Sequence, residues 1–275
     1  MPDPILRTDR LAMPRLGLGT WPMKGAECQA AVEGALALGY RHIDTAEMYG
    51  NEDAVGAALA ATGVPRGEIF LTTKVWWDKP DGASFRAAAL ACLERLAQDQ
   101  VDLLLVHWPS PELNLPSVLE ALATLHAEGR AKAVGVSNFP AGLLRRALDL
   151  AIAPLACLQV EHHAMLDQSR LLAITEPAGM VLTSYTPLGK GAVTEDPTLA
   201  AIAARLGATP AQVALAYILG KGRVAAVPKA ASAARQKENL GALAVTLAPA
   251  DVAALDALPK DRRFVNPAFA PDWAA

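Results

Sequence analysis

Four side chains that could move a proton together follow one another in the first half of the chain. Asp44, Lys74 and His107 each end a β-like segment, and Tyr49 comes five residues after Asp44. In parallel α/β folds, catalytic residues collect at the carboxyl ends of the strands. We therefore expect an acid, a tyrosine, a lysine and a histidine to meet at one rim.

The four residue types have complementary chemistry. A tyrosine is a weak acid near neutrality, with a free pKa of about 10, and a nearby ammonium lowers that pKa by stabilising the phenolate. Asp44 would keep Lys74 charged and in place, and a neutral His107 would orient a carbonyl oxygen by a hydrogen bond. Tyr49 could then protonate an oxygen that acquires negative charge, as carbonyl reduction by a hydride requires.

Other chemical sites find little support in the sequence. The run Gly17-Leu18-Gly19 lacks the third glycine of a dinucleotide fingerprint, and Pro22 would break the helix that should follow it. The run Gly189-Lys190-Gly191 lacks the remaining residues of a phosphate-binding P-loop. The pair His162-His163 has no third ligand at a suitable spacing, so we predict that no metal is bound.

Composition narrows the possible partners and compartment. The 275 residues include 25 basic and 28 acidic side chains, a net charge of −3, with no Lys/Arg-rich run that would indicate a nucleic-acid surface. No apolar run reaches the roughly 18 residues that span a bilayer. The charged first ten residues do not resemble a secretory signal. With three widely spaced cysteines, we expect a cytoplasmic protein with reduced thiols.

The elements that would position these residues alternate between short β-like runs and longer helical ones. We predict an N-terminal β-hairpin over 5–14 and eight strands, at 16–19, 40–44, 69–74, 102–107, 131–137, 155–161, 180–185 and 223–227. Helical spacing of apolar residues predicts helices at 26–38, 52–61, 84–98, 117–128, 141–150, 167–178 and 211–219.

Eight strands that alternate with eight helices are typical of an α/β (β/α)8 TIM barrel. We expect this barrel to form a single domain over 1–275, and a doubly wound open sheet is the alternative. Glycines at positions 39, 63 and 129 are predicted to end helices in the left-handed conformation.

Several segments resemble, in order, the signature segments of the aldo-keto reductase family. They are Gly17-Leu18-Gly19-Thr20-Trp21, the run from Gly39 to Glu52, Thr73-Lys74-Val75-Trp76, Leu105-Val106-His107-Trp108-Pro109, Gly135-Val136-Ser137-Asn138-Phe139, Gln159-Val160-Glu161 and Val227-Pro228-Lys229. The resemblance implies a (β/α)8 barrel that uses NADPH without a Rossmann fold. It also implies a catalytic tetrad of Asp44, Tyr49, Lys74 and His107, with Tyr49 as the proton donor.

The same resemblance assigns residues to the cofactor. Ser137, Asn138 and Gln159 would hold the nicotinamide carboxamide, Tyr185 would stack on the ring, and the loop 186–191, with Thr186 and Leu188, would follow the pyrophosphate. Lys229 and Arg235 would meet the 2′-phosphate, and Glu238 and Asn239 the adenine. Gly19, Thr20, Trp21 and Asp44 complete the predicted cofactor set. Many members of the family carry a serine where this chain has Ala230, which would remove one hydrogen bond to the 2′-phosphate.

Aromatic residues and the C-terminal segment are predicted to shape the substrate pocket. We expect Trp21, Trp76 and Trp108 to form its wall with Tyr49 and His107, and Trp77 to cap the barrel. The segment 264–275 would fold as a loop over the barrel mouth. The run His107-Trp108-Pro109-Ser110-Pro111 and the C-terminal run from Asp261 to Pro267, ending near Ala270-Pro271-Asp272-Trp273, resemble bacterial 2,5-diketo-D-gluconate reductases, particularly the B type, which also reduce methylglyoxal.

The hypothesis is therefore NADPH-dependent reduction of small dicarbonyls or keto sugar acids by a monomeric enzyme. Its small-molecule substrate would be its partner, and no nucleic acid or membrane is expected. Two alternatives remain open. One is a Schiff-base aldolase that uses Lys74, although that lysine should then be desolvated and not paired with an acid. The other is a cofactor-sensing protein that uses a reductase scaffold to regulate a partner.

Overall fold

A short hairpin closes one end of the molecule. The computed structural model describes residues 3–274, and in it β1 (Ile5–Arg7) pairs antiparallel with β2 (Ala12–Pro14). Leu6 and Met13 of this hairpin are buried in one apolar cluster with Phe70 and Leu105 of the barrel strands. The predicted hairpin is confirmed, and its side chains fill the barrel interior.

Eight parallel strands form the barrel itself. In the order in which they pair they are β3 (Leu18–Gly19), β4 (His42–Asp44), β5 (Phe70–Val75), β6 (Val101–Val106), β7 (Ala131–Ser137), β8 (Leu155–Glu161), β9 (Val181–Tyr185) and β10 (Val224–Ala226). Hydrogen bonds from Gly17 N to Ala226 O (2.9 Å) and from Gly19 N to Pro228 O (3.1 Å) join the first strand to the last. The predicted (β/α)8 barrel is confirmed.

Gly19 is required by this closure. A Cβ atom at Gly19 would lie 2.6 Å from the carbonyl oxygen of Val227, closer than side-chain carbons come to backbone atoms. The glycine therefore lets the first strand approach the last strand at the point where the barrel seals.

Ten α-helices surround the barrel in residues 3–274. They are α1 (Gly25–Ala37), α2 (Glu52–Ala61), α3 (Gly82–Arg95), α4 (Leu115–Ala127), α5 (Ala141–Leu150), α6 (Ser169–Thr175), α7 (Pro197–Leu206), α8 (Pro210–Leu219), α9 (Ala233–Gly241) and α10 (Pro249–Asp256). No single helix in this part of the chain is long and apolar enough to span a membrane, whereas α7 and α8, bent by 94° at their junction, meet that criterion only as a pair.

The structure corrects several predicted boundaries. β4 begins at His42 rather than at residue 40, and β6 ends at Val106, so His107 is the first residue of the loop. Seven helix ranges were predicted, and α7, α9 and α10 lie in none of them: α7 is inserted between β9 and α8, and α10 follows α9 outside the alternating pattern. Gly39 and Gly129 have the expected positive φ. The prediction for Gly63 was wrong, because α2 ends at Ala61 and the next residue is already extended.

Candidate active site

The four predicted catalytic side chains come together at the carboxyl ends of β4, β5 and β6. Lys74 is completely buried, and its Nζ donates to Asp44 Oδ1 at 2.6 Å and to the carbonyl oxygen of Thr45 at 2.9 Å. The same Nζ lies 3.3 Å from the Tyr49 hydroxyl. The ring of His107 meets the ring of Tyr49 edge-on, with 5.6 Å between centroids.

The buried lysine remains an ammonium. Burial alone acts to lower the pKa of Lys74, but the charges and hydrogen bonds of Asp44 and Tyr49 outweigh it and raise that pKa above its ordinary value. Gln159 reinforces the pair, because its Nε2 donates to the second oxygen of Asp44 at 2.7 Å. Asp44 is thus held from two sides, and Lys74 presents its positive charge to Tyr49.

Tyr49 is a neutral phenol in this setting. Burial raises its pKa above the ordinary value, and the charge of Lys74 acts in the opposite direction without cancelling that effect. The sequence predicted only the lowering by Lys74, because the loss of hydration around this loop residue could not be anticipated. A phenol that keeps its proton at neutral pH, beside a cation that would stabilise its phenolate, is equipped to donate that proton.

His107 is held as a neutral imidazole beside these groups. Burial and the nearby Lys74 charge lower its pKa well below the ordinary value. Its backbone N–H donates to Val75 O at 3.0 Å, and its carbonyl oxygen accepts from Asn138 Nδ2 at 2.9 Å. A neutral histidine at the cavity wall can hydrogen-bond a carbonyl oxygen without competing for the proton of Tyr49.

A short 3-10 turn, Glu47–Tyr49, carries the tyrosine after β4. Glu47 ties this turn to the next strand, because its Oε2 accepts the backbone N–H of Trp76 at 2.8 Å. Buried Asn51 fixes the residues around the turn by accepting from Thr45 Oγ1 at 2.7 Å and donating to Met23 O at 2.8 Å. The position of the Tyr49 hydroxyl therefore depends on contacts within its own loop and to the loops after β3 and β5.

A cavity of about 250 Å³ opens above these residues. Most of its wall was predicted from the sequence: Gly19, Thr20, Trp21, Asp44, Tyr49, His107, Trp108, Asn138, Gln159, Tyr185, Thr186 and Lys229. Two further lining residues, Lys190 and Val265, belong to the predicted loop 186–191 and segment 264–275, whereas Met48 and Val227 were not predicted as site residues. The predicted site residues Ser137, Leu188, Arg235, Glu238 and Asn239 lie outside this wall, as do Lys74 below its floor and Trp76.

The base of the cavity carries a connected set of amide and hydroxyl groups. Asn138, a non-glycine residue with φ of +61°, donates from Nδ2 to Ser137 Oγ at 3.1 Å and accepts from the Tyr185 hydroxyl at 2.7 Å. Ser137, Asn138 and Gln159 are all buried. Such a set offers both donors and acceptors, which is what a carboxamide needs, so the residues present fit the nicotinamide end of NADPH.

Cationic residues continue the site beyond the cavity. Lys229 is exposed at the rim and pairs with Gly19 through the bridge that helps close the barrel. Arg235 is exposed in the first turn of α9, whose N-cap residue Ser232 accepts from the Arg235 N–H at 3.4 Å. A helix N-terminus with two nearby cations fits a phosphate group. Asn239 is buried, Glu238 is half-buried, and Ala230 is buried beside them.

The tryptophans occupy different places around the rim. Trp21 is 47% exposed, and its ring lies 5.2 Å from that of Tyr49. Trp108 is buried at the cavity wall. Trp76, predicted to be a wall residue, instead lies behind His107, with 5.0 Å between ring centroids. Trp77 stacks on Phe269 at 5.1 Å, away from the cavity.

The C-terminal segment crosses the mouth, as predicted for a loop there. Phe269 and Trp273 pack edge-on against Trp108 at 5.5 and 5.9 Å between centroids, and Val265 reaches the cavity wall. The last residue of the predicted 264–275 loop, Ala275, lies outside the described part of the chain.

The histidine pair has a structural explanation. His163 is buried, its Nε2 contacts Glu161 Oε1 at 3.1 Å, and its Nδ1 accepts from Met165 N at 3.2 Å. Burial lowers the pKa of His162 to about 3. Across residues 3–274, no group of three His, Cys, Asp or Glu side chains could hold a metal ion.

A family profile, individual relatives and solved structures all point to the same protein family. The profile of the Aldo/keto reductase family matches residues 15–260. Methylglyoxal reductase DkgB of Escherichia coli O157:H7 is 38% identical over 267 residues, which cover 96% of this chain and 100% of that protein. An aldo-keto reductase of Mycolicibacterium vanbaalenii is 40% identical over 265 residues, 96% of this chain and 94% of its own. A crystal structure described as "a putative 2,5-diketo-D-gluconic acid reductase B" matches with a TM-score of 0.92 at 41% identity, covering 95% of this chain and 94% of that one.

Proposed function

This chain belongs to the aldo/keto reductase family, and we propose that it reduces small dicarbonyls or keto sugar acids with NADPH, using Tyr49 as the proton donor. The observation that carries the proposal is the buried Asp44–Lys74 ion pair (2.6 Å) with its ammonium 3.3 Å from the Tyr49 hydroxyl. That geometry places a neutral acid and a phenolate-stabilising cation at the floor of a small cavity.

Each residue of the site has a separate role in carbonyl reduction. When bound, NADPH supplies the hydride for the carbonyl carbon. His107 orients the carbonyl oxygen beside Tyr49, and Tyr49 transfers its hydroxyl proton to that oxygen as negative charge develops there. Lys74 stabilises the phenolate that remains, and Asp44 with Gln159 keeps the ammonium in place. Trp21 and Trp108 supply apolar surface that limits the water around the reacting carbonyl.

The names of relatives and the size of the site support the proposed substrate class. One relative is named as a methylglyoxal reductase and one solved structure as a diketogluconic acid reductase. A cavity of about 250 Å³ with aromatic walls suits a compact carbonyl compound rather than a polymer.

A panel of carbonyl compounds, followed by the loss of NADPH absorbance, tests the function. We expect turnover with methylglyoxal or 2,5-diketo-D-gluconate. NADPH binding without turnover on any of them would indicate a cofactor sensor instead. Borohydride trapping of a substrate on Lys74 would indicate an aldolase, against which the raised pKa of Lys74 argues because a Schiff base forms from the neutral amine.

The preference for NADPH over NADH is proposed to come from Arg235 and Lys229. A guanidinium can hold a phosphate with two hydrogen bonds, and a hydrogen bond to a charged group contributes roughly 1.5–3 kcal/mol. Arg235→Ala should therefore weaken NADPH binding about ten- to a hundredfold and leave NADH binding nearly unchanged. Ala230→Ser should tighten NADPH binding modestly. Tryptophan-fluorescence titrations measure both, and equal losses for the two cofactors in the Arg235 variant would contradict the assignment.

We further propose that the enzyme acts in the cytoplasm as a monomer. The three cysteines, Cys28, Cys92 and Cys157, are free and buried, as in a reducing compartment. One chain supplies the whole tetrad and the whole cavity wall, so no second subunit is needed to complete the site. Sedimentation of the active enzyme would test the oligomeric state.

A further inference from the structure

The C-terminal segment is guided to the cavity by the loop that follows β8. The N–H of Arg262 donates to Met165 O at 3.0 Å, and the N–H of Asp167 donates to Lys260 O at 3.0 Å. Leu166 and Asp261 form an antiparallel bridge at the same place. From this short pairing the chain turns towards the barrel mouth. We call residues 264–274 the tail.

One buried carboxylate receives the beginning of the tail. Glu161 is the last residue of β8 and is 0% exposed. Its Oε1 accepts the backbone N–H of Phe264 at 2.7 Å, and its Oε2 accepts that of Val265 at 3.0 Å. His163 Nε2 lies 3.1 Å from Oε1, and Arg263 Nη1 lies 3.8 Å from Oε2. Both oxygens of the carboxylate are therefore committed to the tail and its surroundings.

The residues held by Glu161 reach the substrate cavity. Val265 forms part of the cavity wall, whereas Glu161 itself does not. Lys190, another wall residue, donates from Nζ to Phe264 O at 2.9 Å and so fixes the tail from the opposite side. Farther along, Phe269 and Trp273 cover Trp108. The backbone at 264–265 is the point at which the tail is positioned relative to the cavity.

We propose that Glu161 is a positioning residue that sets substrate selectivity, because it fixes where Val265 stands in the cavity wall. This inference rests on the proposed reductase function. The backbone of Glu161 pairs with that of Tyr185 in the sheet, but within residues 3–274 its side chain hydrogen-bonds only the tail backbone and His163 and so acts through the tail. Two adjacent N–H groups need two acceptor oxygens, and a glutamine side chain offers only one, with its NH₂ group facing the other donor. Glu161→Gln should thus displace the tail while conserving the volume of the side chain.

The test compares Glu161→Gln with Glu120→Gln, a matched change at an exposed position of α4. For methylglyoxal and 2,5-diketo-D-gluconate, kcat and KM are measured at saturating NADPH. We expect KM for the larger substrate to rise about tenfold in Glu161→Gln, the size of effect of one charged hydrogen bond. We expect KM for methylglyoxal to rise less, kcat and NADPH affinity to stay near wild type, and Glu161→Asp to restore part of the loss. Glu120→Gln should behave as wild type.

A double-mutant cycle separates this role from general stability. In a variant that lacks residues 264–275, Glu161→Gln should add no further change in KM, because the group through which it acts is gone. If that deletion variant does not fold, Val265→Ala replaces it, and its effect on KM should likewise not add to that of Glu161→Gln. Unchanged substrate ranking in a folded Glu161→Gln enzyme, or fully additive effects in either background, would overturn the inference. Wild-type enzyme without turnover on either substrate would instead refute the proposed function.

Discussion

Lys74 is subject to two opposing influences at the residue scale. Complete burial disfavours its charge, whereas the carboxylate of Asp44 at 2.6 Å favours it. Gln159 prevents Asp44 from turning away by binding its second oxygen. This arrangement keeps Lys74 charged. Substituting Lys74 should reveal how its charge affects the pKa of Tyr49.

Replacing the ammonium should change the pH dependence of reduction. Donation by Tyr49 requires the protonated phenol, so kcat falls as the pH rises through the pKa of that group. Lys74 lowers this pKa, and Lys74→Met should therefore depress kcat and move the alkaline limb of the kcat profile to higher pH. Asp44→Asn should depress kcat more mildly, because it loosens the lysine, and should shift the alkaline limb less, because the charge of Asp44 itself raises the pKa of Tyr49. Profiles that coincide with wild type in both variants would contradict the role of Lys74.

Site residues that belong to local sequence motifs could be predicted individually, and the others could not. Asp44, Tyr49, Lys74 and His107 stand at or beside strand ends, so their convergence could be predicted once the barrel was recognised. Val265 and Lys190 reach the cavity from loops whose paths depend on tertiary contacts. Glu161 was visible only as part of a motif, because its partners are backbone N–H groups about a hundred residues away.

At the element scale, the 3-10 turn Glu47–Tyr49 connects the proton donor to the strand that carries Lys74. Glu47 accepts the N–H of Trp76 at 2.8 Å, directly after β5. Glu47→Ala leaves that donor unpaired and frees the turn. With roughly 1.5 kcal/mol for a hydrogen bond to this partly exposed carboxylate, kcat should fall about tenfold with KM little changed.

Two related variants serve as controls for the turn. Glu47→Gln keeps an acceptor oxygen and should retain most of the activity. Lys79→Met removes its partly exposed ion pairs with Glu47, at 3.8 Å, and with Asp78, and should have a small effect. A kcat that drops as far in Glu47→Gln as in Glu47→Ala would mean that charge, and not the hydrogen bond to Trp76, is the property that matters.

The helices and strands also differ in how well the sequence located them. Strands that are buried on both faces were located well, since continuous apolar runs distinguish them, but their first residues were not. α8 begins at Pro210, one residue before the predicted start, where Thr209 and Gln212 form a capping box and Pro210 is in the first turn. α7 and α10 were missed because neither belongs to the alternating βα pattern, and they contact each other.

At the scale of the whole molecule, buried histidines link stability to pH. Burial lowers the pKa of His42 from 6.5 to about 4 and that of His162 to about 3. The unfolded chain then binds more protons than the folded one below pH 6.5, so the free energy of unfolding falls as the pH falls from about 6.5 to about 4. For His42 alone the loss is on the order of 3 kcal/mol.

Urea unfolding at a series of pH values measures this dependence. His42→Gln should reduce the slope of the unfolding free energy against pH between pH 6 and 4.5, by an amount that corresponds to at most one bound proton. The slope above pH 7 should stay unchanged. Because the comparison uses slopes, a loss of packing around position 42 does not obscure the result. A slope between pH 6 and 4.5 that equals that of wild type would exclude His42 as a contributor.

Tyr49→Phe tests the proposed proton transfer most directly, because it removes one hydroxyl and keeps the ring that packs against Trp21 and His107. The measurement is kcat for carbonyl reduction together with the dissociation constant of NADPH. General acid catalysis contributes about 10²–10⁴-fold, so kcat should fall by at least about a hundredfold while the NADPH dissociation constant stays at the wild-type value. A kcat near that of wild type in the phenylalanine variant would show that Tyr49 is not the proton donor.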